Sequence, residues 1–216
     1  MVFDERSPLI DSALEAQLSA LFARLIRDVE LICIAGSDAT SAEMGAFLKH
    51  LVSLNPRLTV RFLAPGEDAA MDAALDASLL PATGVGGPLP RMVFHGIPGG
   101  REITAFTAAI LNAGNASKAL DRFTMGGIAK ISAPRELRVC VSLSCQHCCQ
   151  LVIHAQRIAW ENELVTAHMI DANLYPELVR ALQLDRVPLT VVNGKKQIPG
   201  GRTMAELTGL LRKYRD

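Results

Sequence analysis

Several features are missing from this 216-residue chain, and each absence removes a class of function. Charge of one sign is lacking: 22 Lys and Arg stand against 22 Asp and Glu, which leaves no electrostatic footprint for nucleic acid or an anionic membrane. No apolar run approaches membrane-spanning length, and no basic stretch leads into an apolar signal core, so a cytoplasmic protein is expected. No Gly-x-Gly-x-x-Gly follows a strand; Gly84-Val85-Gly86-Gly87 reads as a loop between prolines and lacks the context for dinucleotide binding. What is present is a chain that is 50% hydrophobic, enough to bury a sizeable core.

The most informative residues are Cys145-Gln146-His147-Cys148. They follow a strand-like run over 137–142 and precede a run in which Leu151, Val152, Ala155, Ile158 and Ala159 recur at helical spacing. A dithiol at a helix start meets orphan amides and the positive end of the helix dipole, both of which favour a thiolate. A cysteine there falls from about 8.5 to roughly 3.5–7.5. Cys145 is therefore the expected nucleophile and Cys148 the resolving thiol, with Gln146 and His147 between them and His147 tuning the thiolate. Zinc is the main competitor, with Cys140, Cys149, His147 and His154 near in sequence, but no second Cys-x-x-Cys completes four ligands, and no metal is expected. A purely structural disulfide closing so short a loop would restrict the unfolded chain little. Cys33 and Cys140 lie in apolar runs and read as core, and Cys149 as a small buried hydrophobe or a further reactive sulfur. His50, His95 and His168 have no partners at ligand spacing, and the methionines at 44, 71, 92, 125 and 204 form no stripe.

After the dithiol helix the pattern predicts a strand over 164–170, a helix over 174–182, and a hairpin whose strands at 189–192 and 195–198 meet at Asn193-Gly194. A helix closes the series. Pro188, immediately before an apolar strand, is the candidate for a cis bond.

Together, Ser142-Leu143-Ser144-Cys145-Gln146-His147-Cys148, Val187-Pro188 and Val192-Asn193-Gly194-Lys195 resemble the N-terminal module of the flavoprotein subunit of alkyl hydroperoxide reductase. The resemblance implies an α/β protein of two tandem thioredoxin-like folds packed together, with a central mixed sheet flanked by helices. It implies that the second fold carries the dithiol and passes electrons from a thioredoxin-reductase-like flavoprotein to a peroxiredoxin, with Pro188 shaping the groove beside the sulfurs.

The first half repeats the order without the cysteines. Helices are predicted over 11–27, 40–54 (with Thr40 and Glu43 at capping-box spacing), 68–80 and 103–111, and strands over 29–34, 58–63 and 91–94. A Pro/Gly-rich connection over 81–90 places Pro90 where the second half has Pro188. Ser37-Asp38-Ala39-Thr40 stands at the position of the dithiol, so this copy is redox-silent. The expected domains are 1–115 and 116–216.

In the resembled family the silent fold supplies a glutamate to the dithiol from a Gly-His-Glu sequence; the matching stretch here is Gly100-Arg101-Glu102. Glu102 is thereby implicated in proton exchange with the cysteines, and a helix-start glutamate complementing the dipole is the competing role. Arg101 replaces the family's histidine, and Cys149 stands where proline is usual. The family continues into a flavin-binding reductase, whereas this sequence stops at Asp216, so a stand-alone carrier without a bound cofactor is expected, reduced by a separate flavoprotein. General protein-disulfide reduction or oxidation, a non-catalytic adaptor or metal-binding role, and a homodimer remain open alternatives.

Overall fold

The computed structural model describes residues 3–215. Its elements run twice through one order: helix, strand, helix, strand, helix, two strands, helix. The first pass is α1 Ser12–Phe22, β1 Val29–Ile34, α2 Ala39–Ser53, β2 Leu58–Leu63, α3 Ala69–Leu75, β3 Ala82–Val85, β4 Met92–His95 and α4 Glu102–Ala113. The second is α5 Arg122–Ile128, β5 Arg135–Val141, α6 Cys148–Glu161, β6 Val165–Asp171, α7 Pro176–Leu182, β7 Leu189–Val192, β8 Lys196–Pro199 and α8 Met204–Lys213.

All eight strands join one mixed sheet in the order β2-β1-β3-β4-β6-β5-β7-β8. Within each copy the first two strands are parallel and the hairpin strands antiparallel. The copies meet where β4 pairs in parallel with β6, Met92 opposite Ala167 and His95 opposite Ile170. The repeat is thus head to tail: the last strand of one copy docks on the second strand of the next. One apolar core runs under both, from Phe22, Phe47 and Phe106 to Leu151, Val152 and Ile158. Side chains lock the join. Arg91 donates to the carbonyls of Ala159 and Trp160 at the C-terminal end of α6, where unpaired carbonyls favour a cation, and Gln156 donates to the Val93 carbonyl.

Helix starts follow from aspartate. Asp11, Asp38, Asp68 and Asp121 each accept a backbone N–H of the first turn of α1, α2, α3 and α5. The cap of α2 is therefore Asp38, bonded to Ser41 N, and not Thr40; the capping box of this chain is Thr203 with Glu206 at α8. Two expected helices stop early. α1 ends at Phe22, and α3 ends where Asp76 turns left-handed at φ 50°.

The connection expected over 81–90 is instead half of a hairpin. β3 lies inside it, turned by Gly86 and Gly87 at positive φ, and the Leu80–Pro81 and Val187–Pro188 bonds are both cis. Pro188 has the expected isomer, but its counterpart is Pro81, directly before β3, and not Pro90. Pro90 packs over Gly84, where a Cβ would lie 2.6 Å from Leu75 Cδ2 and from Pro90 Cβ; a strand with glycine at its centre hides from periodicity. The Asn193-Gly194 turn takes positive φ at both residues, as its sequence requires. Among the described residues no helix is long and apolar enough to cross a membrane.

Candidate active site

β5 delivers the chain to the dithiol, and α6 carries it away. The strand ends at Val141, the Cys145 N–H donates to the Ser142 carbonyl at 2.9 Å, and Cys148 is the first residue of α6. Cys145 and Cys148 form a disulfide with Cα atoms 5.5 Å apart. Their exposures differ. Cys145 is part-exposed in the turn ahead of the helix, whereas Cys148 is fully buried beneath it. His147 occupies the N-cap position with no capping bond from its side chain, leaving the first amides of α6 free of side-chain acceptors. Gln146 and His147 both face solvent.

The start of α4 closes over this turn. Arg101 N–H donates to the Leu143 carbonyl at 3.4 Å, and Gly100 sits at φ +54°, where a Cβ would come within 2.9 Å of that same oxygen. This close approach needs glycine at 100. It also buries the next helical residue: Glu102 is 0% exposed, and neither carboxylate oxygen has a hydrogen-bond partner among the described residues. Burial, and secondarily the charge of Asp171, push the Glu102 carboxyl from 4.5 up to about 7. Asp171 ends β6, is buried at 4% exposure, and accepts from the backbone and side-chain nitrogens of Asn173; burial raises its carboxyl despite those bonds.

Cys149 lies at the same place. Burial first, and the Glu102 charge second, raise its thiol to about 11, against the opposing N–H of Ala105 and the charge of Arg101. The third sulfur is thus a protonated neighbour of the glutamate. Pro188 stands at the sheet end from which the dithiol turn departs, because Leu189 pairs with Cys140 just before β5 ends. Cys33 and Cys140 are buried strand residues with thiols raised by desolvation to about 12 and about 11.

Sequence reasoning missed two features. Asp171 carries only a faint signal, a carboxylate closing an apolar strand. The other is a correction: His95 and His168 do not sit alone. They stack with ring centroids 5.2 Å apart, and His95 Nε2 lies 2.9 Å from His168 Nδ1. The parallel register of β4 and β6 makes them neighbours on one face across 73 residues of chain, which no local spacing reveals. Burial depresses them to about 4 and about 3, beside Arg138, which salt-bridges Asp76 at 2.9 Å. His154 bonds the Arg202 carbonyl and Gln150, and among the described residues no three His, Cys, Asp or Glu side chains converge as a metal-binding group.

A head-to-tail pair of thioredoxin-like folds with a Cys-x-x-Cys disulfide ahead of a helix defines a tandem thioredoxin-fold disulfide oxidoreductase. Comparison with known proteins agrees: the thioredoxin domain family model matches residues 135–212. The structure of the alkylhydroperoxide reductase flavoprotein AhpF from Enterococcus faecalis superposes with TM-score 0.86 at 30% identity, covering 93% of this chain and 98% of that one. The AhpF protein of alkyl hydroperoxide reductase from Pseudomonas aeruginosa is 27% identical over 188 residues, 87% of this chain and 34% of its own length. A protein named NADH dehydrogenase from Bacillus subtilis is 26% identical over 199 residues, 92% of this chain and 37% of its own. The chain belongs to the family of the N-terminal tandem thioredoxin-like module of AhpF. It spans little more than a third of the curated relatives it matches.

Proposed function

We propose that the chain carries electron pairs from a thioredoxin-reductase-like flavoprotein to a peroxiredoxin or another disulfide substrate, using Cys145 and Cys148 as its redox group. The observation that carries this reading is the asymmetric disulfide, one sulfur accessible and the other buried, beside a glutamic acid poised near neutral pH. A donor thiolate attacks Cys145 Sγ, the accessible atom, and breaks the bond to Cys148. The Cys148 thiolate leaves into a buried site, where Glu102 supplies its proton. A second donor thiolate then releases Cys145, completing a two-electron transfer. In the forward half-cycle the Cys145 thiolate attacks the substrate disulfide; Cys148 returns its proton to Glu102, attacks Cys145 Sγ, and frees the reduced substrate.

Pro188 and the solvent-facing Gln146 and His147 border the surface that an incoming disulfide would meet. The cycle needs no bound cofactor, and a reducing cytoplasmic setting suits it. The test is turnover of an oxidised peroxiredoxin by this chain with a thioredoxin-reductase-type flavoprotein, read as nicotinamide oxidation. Cys145→Ser should abolish it, and Cys148→Ser should accumulate a mixed disulfide through Cys145. Wild-type turnover no faster than the flavoprotein alone would sink the carrier role.

A further inference from the structure

The two copies of the fold differ at one matching place, the groove between their first and last helices. In the first copy, between α1 and α4, the groove has a volume of about 270 Å³ and a lining that includes Leu14, Leu18, Leu21, Ile103 and Leu111, with no charged residue. In the dithiol copy, between α5 and α8, it widens to about 480 Å³. Arg122, Lys130 and Arg212 line it, and no carboxylate does. Ala205, Thr208, Gly209 and Arg212 present one face of α8, at i, i+3, i+4 and i+7.

The glycines point to something outside the chain. Glycine is the poorest helix former after proline, yet Gly126 lies in α5 and Gly209 in α8. A Cβ on either would meet no atom within 4 Å, whereas one on Gly45 of α2 would strike the Phe3 ring at 2.2 Å. Packing within this chain therefore explains Gly45 and leaves Gly126 and Gly209 unexplained. A separate observation marks the same wall: Thr208 is 5% exposed and its Oγ1 is buried without a hydrogen-bond partner among the described residues. At the rim, Phe123 leaves its ring 90% exposed.

We propose that this groove docks an acidic amphipathic helix of a partner protein. The apolar face of that helix packs on the small-residue walls and on Phe123, its carboxylates meet Arg122, Lys130 and Arg212, and a polar group of its own satisfies Thr208. Residues 205–212 of the chain give a wall of about 10 Å, so the groove holds about two turns of the incoming helix. Glycine and alanine on both walls allow an axis separation near the short end of the usual range, about 8 Å. This docking is independent of the redox cycle.

The probe is a fluorescein-labelled 16-residue helical peptide with leucine at i, i+3, i+4 and i+7 and glutamate on both flanks, compared with its lysine-flanked counterpart by anisotropy against the full chain. The glutamate peptide should saturate and bind at least tenfold tighter than the lysine peptide. Gly126→Leu and Gly209→Leu, which fill the groove and favour their helices, should each weaken it at least tenfold, as should Arg212→Glu, while the disulfide midpoint stays unchanged. Equal binding of the two peptides, or undiminished binding by filled variants whose circular dichroism matches wild type, overturns the proposal. Self-association of the chain that the filling variants abolish would also overturn it, by assigning the groove to a second copy.

Discussion

Replacing Glu102 with glutamine should make the oxidised chain more stable at neutral and alkaline pH, and the size of the gain follows from burial. In the unfolded chain this carboxyl titrates near 4.5; folded, it is held up to about 7. Below the unfolded value both states are protonated and burial costs nothing extra. Between the two values the unfolded chain ionises first, so stability falls as pH rises, and above about 7 the full penalty is present. That interval, at about 1.4 kcal/mol per pH unit, sets an upper bound of about 3 kcal/mol. Asp171 remains in the variant with its own raised carboxyl and retains a smaller dependence of the same sign. Guanidinium unfolding followed by Trp160 fluorescence at pH 5, 6, 7 and 8 measures it. With a slope of about 5 kcal/mol/M, the variant midpoint should exceed wild type by up to about 0.6 M at pH 8 and match it at pH 5. Parallel curves for the two proteins would refute the buried, unpartnered carboxyl.

The same variant should slow thiol-disulfide exchange by about a hundredfold, the lower range for loss of a general acid, and flatten the pH–rate profile near 7; an unchanged profile would reduce Glu102 to a structural residue. Acid should act on the histidine pair in the opposite sense. Because folding depresses His95 to about 4 and His168 to about 3, stability is complete above about pH 6.5 and drains as pH falls toward those values, and His168→Phe should lessen the loss when melting is followed from pH 7 to 4. Gly84→Val forces a Cβ against Leu75 and Pro90 and should cost about 1–3 kcal/mol by calorimetry; a neutral result would mean that the strand can move aside. In the reduced protein at pH 8, a Cys149 thiol near 11 is thiolate for only about one part in a thousand, so iodoacetamide should label Cys145 long before Cys149.

The sheet and the dithiol were legible because their signals are local. Apolar runs bounded β1 and β2 to the residue, and a Cys-x-x-Cys between strand-like and helix-like patterns set the sulfurs at the head of α6. Glu102 came only through family resemblance, since nothing near it in sequence announces that Gly100 will press its helix against Leu143. What stayed hidden depends on long-range packing or short elements. β3 has four residues with a glycine among them, α5 has seven, and the His95–His168 pair exists only because two distant strands share a register. Asp171 likewise gains its meaning from the glutamate it faces across the fold join.

The central claim, that Cys145 and Cys148 form a reversible two-electron couple, is tested most directly by equilibrating the chain in dithiothreitol and glutathione buffers of graded potential and counting alkylated thiols by mass. A single transition that follows the two-electron slope of about 30 mV per tenfold change, and is lost in Cys148→Ser, is the predicted result. A disulfide that stays oxidised or stays reduced across the whole range, or a transition that survives in Cys148→Ser, would contradict it.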